Sequence, residues 1–557
     1  MHRLRTRGPA MLALLAAAPG VHAQTTSAGA QLQQIPPTFE TPRSPPVLKV
    51  EPNRTQPDSG APGDTLRVNI LRITGASLFD EATLRAASGF EPGRERSLSD
   101  LRTVAARIAA YYHQHGYFLA QAYLPAQEIA GGSVTIAVAE GRYGEVAINN
   151  GTGLSNRVAR DVLRGIDRGV IVSSAPLERR LLLLSDIPGV KVRSTLAPGS
   201  AVGTSDLAVD LTPGRRITGS VEADNAGNRY TGSYRAGGTV NVNNPASIGD
   251  LLSLRILAST GGLAYGRAAY QAPVADVTLG VAYSHIRYEL GREFERLDAS
   301  GTADIGSLYA RYPLIRSRDA NVYALASAEA KWLDDSIGLV SSRSNKKSRV
   351  VTLGVSGDAH DDLAGGGWTN VSGGFTVGEF DIENPLERAA DRLAARRDGS
   401  FKKVNFAAAR LQTVSGALSL YGSIRGQLAF DNLDTSEQME LGGAYGVRAY
   451  PEGEAYGDQG YVATAEARLT LGRWTAGLPG QLQAIAFVDV GEVAYAHDPW
   501  FAGSNRAHRS GIGGGLTWAA PEGIVLKGSY ARRLGDQRVT SGPDDADRFW
   551  FQIIKLF

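Results

Sequence analysis

From about Ile217 to the C-terminus, apolar and polar residues alternate with a period of two instead of at helical spacing. Val277, Leu279, Val281 and Tyr283 alternate with Thr278, Gly280, Ala282 and Ser284. In the same way Tyr461, Ala463, Ala465, Ala467, Leu469 and Leu471 alternate with Thr464, Glu466, Arg468 and Thr470. Successive side chains of a strand point to opposite faces, so each segment has one apolar face and one that is small, polar or charged. A soluble sandwich would turn the polar face to water; a barrel in lipid would turn it to a lumen. The number of segments separates the two. Candidates fall at 217–225, 232–242, 250–258, 264–272, 277–289, 301–314, 320–334, 348–359, 368–379, 402–413, 417–430, 460–471, 482–492, 511–519, 523–532 and 548–557, an even total of sixteen. Strands of about ten residues joined by alternately short and long connections predict a membrane all-β fold, a sixteen-stranded antiparallel outer-membrane β-barrel over 217–557.

Upstream, between Leu66 and Pro213, the pattern predicts two small α+β domains, at 64–141 and 142–214, each reading strand, helix, helix, strand, strand. In the first, Leu66–Thr74 is a strand, Asp80–Ala87 a short helix and Leu98 to about His115 a longer one, followed by strands Phe118–Leu124 and Ser133–Ala139. Ser97 and Asp100 have capping-box spacing, Leu101, Val104, Ala105, Ile108 and Tyr112 share one face, and Gly116 stands where a helix ends. The second repeats the order with a strand at Glu145–Asn149, helices at Asn156–Leu163 and Ala175–Ile187, and strands at Val190–Leu196 and Asp206–Leu211. Residues 24–63 are rich in Pro, Ser, Thr and Gln and read as a linker, with a short helix near Ala28–Gln34 that fits inside a larger structure as a plug.

Composition narrows the membrane reading. Charged residues are 20 % and hydrophobic ones 43 %, and no apolar run reaches 18 residues, so any span is built from strands. The basic stretch His2–Arg7, the apolar Met11–Ala18 and Val21-His22-Ala23 form a signal peptide over 1–23, too short in its apolar part to cross a bilayer. A net charge of +2 without a basic run gives no sign of a nucleic-acid partner. The absence of cysteine excludes disulfides and thiolate metal sites and suits an exported protein.

The richest connection joins the eleventh and twelfth barrel segments, Leu441 to Asp458, where glycines and a proline specify an irregular backbone around Val447-Arg448-Ala449-Tyr450. In the thirteenth, Ala484, Ala486 and Val488 toward lipid place Phe487 and Asp489 inside. The chain ends on Phe557 in a strand whose Phe549, Phe551 and Ile553 share a face, with Lys555 interrupting it near a rim. All six tryptophans lie in this half, where interfacial girdles require them.

Together these features resemble the two-partner-secretion outer-membrane transporters (TpsB), the ShlB/FhaC/HecB haemolysin secretion and activation family with POTRA domains. The residues carrying the likeness are the VRAY loop, the Phe487-Val488-Asp489 strand, Gly116-Tyr117 with Tyr123 to Gln127 and Gly131-Gly132 in the first domain, and Asn244-Pro245 with Gly249-Asp250 early in the barrel. Ala449 stands where the wider superfamily has glycine in its VRGY or VRGF loop. The resemblance implies that the loop folds into the lumen and that Arg448 meets Asp489; a guanidinium confined there needs a carboxylate, and a bidentate contact fixes the loop. The alternative is an arginine in a solvated extracellular loop. The likeness further implies a large secreted exoprotein as partner, outer-membrane lipid around the barrel, delivery by the barrel-assembly machinery through the terminal Phe557 strand, POTRA domains in the periplasm, no cofactor and no catalysis.

Weaker signals point to structure more than to chemistry. His113 and His115 sit two apart at a helix end, facing different sides, an arrangement unlike a metal site. Asp334-Asp335, Asp361-Asp362 and Asp544-Asp545 read as solvated loop charges, and Gly511 to Gly515 as a small-residue strand, since no Lys-Ser/Thr follows as in a phosphate loop. Two rival functions remain at this point, an assembly factor of the same superfamily, which would carry more periplasmic domains, and a passive porin, which needs neither paired small domains nor the VRAY loop.

Overall fold

The stretch expected as a linker contributes two elements, helix α1 (Ala28–Gln33) and strand β1 (Val47–Val50), and they join different parts of the molecule. The computed structural model describes residues 27–38, 46–51, 65–472 and 479–557, which divide into two units. The expected signal peptide and Trp474 lie outside the described residues.

One unit holds the two small domains. The first comprises β2 (Leu66–Val68), β3 (Ile70–Thr74), α2 (Glu81–Ser88), β4 (Arg94–Arg96), α3 (Leu98–Gln114), β5 (Gln121–Tyr123) and β6 (Ser133–Ala139). Strand β6 pairs in parallel with β3 and antiparallel with β5. The Ser97 hydroxyl accepts from the Asp100 amide while Asp100 accepts from the Ser97 amide, so α3 starts at a reciprocal cap. Its Leu101, Val104, Ala105, Ile108 and Tyr112 are buried on the sheet. The pattern that predicts one strand over Leu66–Thr74 meets a break at Asn69, because β2 leaves to pair with β4, a strand too short to show alternation. His113 and His115 each bond a backbone carbonyl, of Ala120 and Tyr111 respectively, both at 2.8 Å.

The second domain comprises β7 (Arg142–Asn150), α4 (Asn156–Val162), α5 (Ser174–Ser185), β8 (Val190–Pro198) and β9 (Thr204–Pro213). Its sheet runs β1-β8-β9-β7, with β1 added in parallel to the edge of β8. Leu177, Leu181 and Leu184 of α5 are buried against that sheet.

The other unit is the barrel. Its strands are β10 (Ile217–Asp224), β11 (Arg235–Asn243), β12 (Leu251–Ser259), β13 (Ala264–Val274), β14 (Val277–Glu289), β15 (Ala299–Arg316), β16 (Ala320–Ile337), β17 (Ser342–Asp361), β18 (Gly367–Ile382), β19 (Gly399–Thr413) and β20 (Leu418–Ala429). After a two-residue pair within the next connection, β21 (Met439–Glu440) with β22 (Tyr456–Gly457), come β23 (Gln459–Thr470), β24 (Gln481–Ala494), β25 (Arg506–Ala520), β26 (Ile524–Arg533) and β27 (Asp547–Leu556). Excluding β21 and β22, these sixteen strands close into one barrel, and each overlaps one of the alternating sequence segments. Closure runs through β10 and β27, from Ser220 opposite Leu556 to Asp224 opposite Gln552. Phe557 lies one residue beyond β27, yet it exchanges two backbone hydrogen bonds of 3.0 Å with Gly219.

The apolar face of each strand is the outer one. Leu279, Val281 and Tyr283 of β14 are exposed on the outside, while Ala282, Ser284, Ile286 and Tyr288 point in and are buried. No described helix is long and apolar enough to cross a membrane; the strands do it. Two expectations need correction. Trp550 belongs to no girdle: it points into the lumen and is buried. Asp334 and Asp335 lie inside β16, and Asp335 faces inward, accepting from Tyr288 Oη at 2.8 Å. Asp361, at the end of β17, and Asp544, in a loop, keep the exposure expected of them and pair with Arg410 at 2.7 Å and with Arg533 respectively. The connection from β18 to β19 also holds α6 (Pro385–Leu393), capped by Asn384, an element that strand alternation does not register.

Candidate lumenal site

The connection from β20 to β23 turns into the barrel and folds on itself. Beyond the β21–β22 pair, Leu441 donates to the Ala455 carbonyl and Gly442 to that of Glu454, both at 3.1 Å, and Val447 returns a bond to the Leu441 carbonyl at 2.9 Å. Leu441, Val447, Ala449 and Tyr450 are fully buried. A polar backbone withdrawn from water must be paired, and here the loop pairs its own.

At the tip the structure brings Arg448 and Asp489 together. Arg448 Nε and Nη2 each donate to Asp489 at 2.8 Å, one to each carboxylate oxygen, and the Arg448 amide adds a third bond at 3.1 Å. Thr464 Oγ1 donates to the same carboxylate at 2.9 Å. The remaining guanidinium nitrogen, Nη1, reaches Glu466 at 2.9 Å, and the guanidinium plane stacks 3.4 Å above the Phe487 ring. Strand register explains the convergence: Thr464 and Glu466 of β23 stand opposite Asp489 and Phe487 of β24, on the inward face. Charge-assisted, bidentate bonds plus a cation–π contact in a shielded lumen fix both the position and orientation of the tip.

The wall is shaped to receive it. A Cβ on Gly511 would stand 2.5 Å from the Cβ of Ala449, and one on Gly513 would collide with the Phe487 ring. The glycine run of β25 is therefore a recess for the loop. Ala449 keeps a negative φ, so its methyl group, in place of the superfamily's glycine, meets no backbone strain and packs into that recess.

Sequence reasoning missed three partners. Glu466 follows the same alternation that selects Asp489, and the spacing of 464, 466 and 468 along one face was the available signal. Trp550 Nε1 donates to the Arg448 carbonyl at 2.7 Å, tying the tip to β27. A second clasp sits at Glu454, which has no exposed surface and accepts from Arg509 Nε at 2.9 Å and Nη2 at 2.5 Å. Thr540 and Ser541, in the connection after β26, surround the same carboxylate with amide and hydroxyl donors at 2.8–2.9 Å. No local signal marks either contact.

Helix α1 fills space beside this loop. Ala28 donates to Asp335 Oδ1 at 2.7 Å, Gln33 Nε2 to the Ser436 carbonyl at 2.8 Å, and Gln34 Nε2 to Tyr456 Oη at 2.6 Å. Arg235, paired with Asp224 at 2.9 Å, also donates to the Gln34 carbonyl at 2.8 Å. A Cβ on Gly29 would stand 2.6 Å from the Ser436 nitrogen, so the helix and the loop meet backbone to backbone.

Residues 203–516 match the family described as haemolysin secretion/activation protein ShlB/FhaC/HecB, and residues 66–141 match the POTRA domain, ShlB-type. The chain belongs to that family. Its members are outer-membrane β-barrel transporters of two-partner secretion with POTRA domains in the periplasm, and they act with a secreted exoprotein. The chain is 28 % identical over 481 residues to the heme/hemopexin transporter protein HuxB of Haemophilus influenzae strain 86-028NP, covering 84 % of this chain and 82 % of that one. It is 24 % identical over 451 residues to the outer membrane transporter CdiB of Dickeya dadantii strain 3937, covering 79 % and 78 %. Among solved structures, CdiB from Escherichia coli shares the fold, with a TM-score of 0.72 at 20 % identity over 90 % of this chain and 92 % of that one.

Proposed function

We propose that this protein carries one large exoprotein, haemolysin- or adhesin-like, from the periplasm to the cell surface, and that it performs no catalysis of its own. Residues 1–23 direct the chain to export and are then removed, while the small domains at 64–141 and 142–214 hold the unfolded cargo by strand addition. The barrel over 217–557 is the route through lipid, and its terminal strand ending at Phe557 presents it to the barrel-assembly machinery. In the resting state α1 plugs the lumen and Arg448 holds the inner loop against the wall. No nucleotide drives the passage; folding of the cargo outside draws it through.

The observation that carries this reading is the Arg448 clasp, in which one guanidinium satisfies two wall carboxylates while stacked on an inward aromatic ring. A passive pore has no use for an inward loop planted on its wall at such density of charge. The count of two small domains separates the reading from that of an assembly factor. The test is charge reversal. In Arg448→Glu, export of the partner exoprotein falls to background while the barrel still inserts and keeps its heat-modifiable migration. Adding Asp489→Arg restores part of the export, because the pair is rebuilt with its signs exchanged. Normal secretion by Arg448→Glu overturns the reading.

A further inference from the structure

Helix α6 is built the wrong way round for a helix in water. An amphipathic helix on a soluble protein turns its apolar face to the core and its charges to solvent. In α6 the face that meets the protein is the charged one. Asp391 is buried and accepts from Arg397 Nε at 2.8 Å and from the amides of Arg397 and Asp398 at 2.7 and 3.0 Å. Glu387 accepts from the Ser344 hydroxyl at 2.6 Å, and Arg388 donates to Asp381 at 2.7 Å. Leu386, Ala389, Ala390 and Leu393 lie on the opposite face and are exposed, the two leucines to 82 % and 90 %. The carboxylates of the segment, Glu387, Asp391 and Asp398, are turned inward, whereas Arg392 and Arg396 are exposed. Its outer surface is therefore apolar and cationic.

The position of α6 says what covers that surface. β10 follows the small domains, which are periplasmic in this family, so the odd-numbered strands of the barrel run toward the cell surface; β18 is the ninth, and α6 emerges on that side. The outward apolar band of the wall ends just below it. On β18 the band runs through Val371, Phe375 and Val377 and gives way to Glu379 and Asp381; on β17 Leu353 and Val351 give way to Arg349 and Lys347. Trp332 of β16, exposed outward and opposite Lys347, stands at the same level, as an interfacial aromatic does. The bond from Arg388 to Asp381, on the outward face of β18, holds α6 at this boundary. The exposed leucines are thus continuous with the lipid-facing wall.

We propose that α6 is an interfacial lipid-binding helix, its leucines entering the acyl region of the outer leaflet while Arg392 and Arg396 bind the phosphates of lipopolysaccharide, the anionic lipid of that leaflet. Leaving water stabilises the leucines, and the guanidiniums form charge-assisted bonds to phosphate. The hold extends to the stem of the inner loop. Arg397 also stands 3.7 Å from Asp434, and Asn432 donates to the Ala395 carbonyl at 2.7 Å, so lipid bound at α6 steadies the connection that carries Arg448.

The chain has no cysteine, so one introduced cysteine carries a single environment-sensitive dye. Full-length Leu393→Cys is labelled, reconstituted into phosphatidylcholine vesicles containing purified lipopolysaccharide and titrated with iodide. The reference is Arg538→Cys, a position 85 % exposed in the connection after β26. Iodide is expected to quench the Leu393→Cys dye roughly threefold or more weakly than the reference dye, with emission shifted to the blue. Adding Arg392→Glu and Arg396→Glu removes most of that protection while the barrel keeps its heat-modifiable migration. Quenching equal to that of the reference overturns the proposal, and so does protection that survives both charge reversals. Protection that appears only when the exoprotein is added assigns the face to the exported polypeptide and overturns the lipid assignment.

Discussion

The two units of this protein bury opposite kinds of residue. In the small domains, leucine, isoleucine and valine from α3, α5 and the sheets form the interior, and over residues 65–216 Glu140 is the one buried charged side chain among those described. The barrel interior is built on charge: Arg235 with Asp224, Arg255 with Glu222, Lys331 and Lys403 with Glu437, Arg448 with Asp489 and Glu466, and Arg509 with Glu454. The difference follows from what surrounds each unit. A domain in water hides its apolar residues, whereas a barrel in lipid must wear them outside, which leaves polar residues to fill the lumen. Packing alone cannot then position an inner loop. Paired, hydrogen-bonded charges do it instead, and they give the loop a geometry that holds while intact and releases once a partner charge is lost.

The contrast is sharpest at the second clasp. Arg509→Ala leaves Glu454 buried without its cation, a loss of about 3–5 kcal/mol of local stability. The expected outcome is a loop detached from the connection after β26, read as higher ionic conductance of the protein in planar bilayers and a lower unfolding temperature. Unchanged conductance would mean that the lumen does not depend on its ion pairs.

The outer wall provides the converse. Leu353 lies mid-strand in β17 with 62 % of its surface facing outward. Leu353→Arg places a charge against hydrocarbon at about 2–4 kcal/mol. Leu353→Ala exchanges one apolar contact for another and costs well under that, since lipid is as apolar as leucine. Urea unfolding in lipid vesicles measures both.

The smallest effect is expected at the exception in the small domains. Burial pushes the Glu140 carboxyl up, but bonds from the Ser77 hydroxyl, the amides of Ser77 and Leu78 and the Tyr112 hydroxyl outweigh it and hold the group below the ordinary carboxylate range. A group whose folded pKa is depressed stabilises the fold above its unfolded value, near 4.5, and that contribution is lost as pH falls toward the folded value. Glu140→Gln therefore costs about 1–3 kcal/mol at neutral pH and flattens the acid limb of the stability curve. Hydrogen exchange over residues 66–141 of the full-length protein reads both effects. A variant that keeps the acid dependence of the original would remove Glu140 as its source.

Much of this architecture is legible in the chain because a strand's alternation is written residue by residue. The sixteen segments, the face of Asp489 and the cap at Ser97 with Asp100 need no knowledge of distant parts. The elements that escape are those whose reason lies elsewhere. β1 is four residues long and exists because β8 offers an edge; Asp335 looks like a loop charge until α1 is seen to begin on it, with the Ala28 amide donating to its carboxylate. Trp550 matches a girdle residue by composition although alternation with Phe549 and Phe551 sets it on the other face, and its bond to the Arg448 carbonyl appears only in the closed barrel.

What the sequence determines by itself is the wall: period-two alternation is a property of the extended backbone, so it sets how many strands there are and which side of each meets lipid. What only the tertiary structure decides is the filling of the lumen. Arg448 meets Trp550, and Glu454 meets Arg509, 102 and 55 residues apart. Closure of a cylinder brings together residues that no local periodicity relates, and a buried charge selects its partner by proximity after closure.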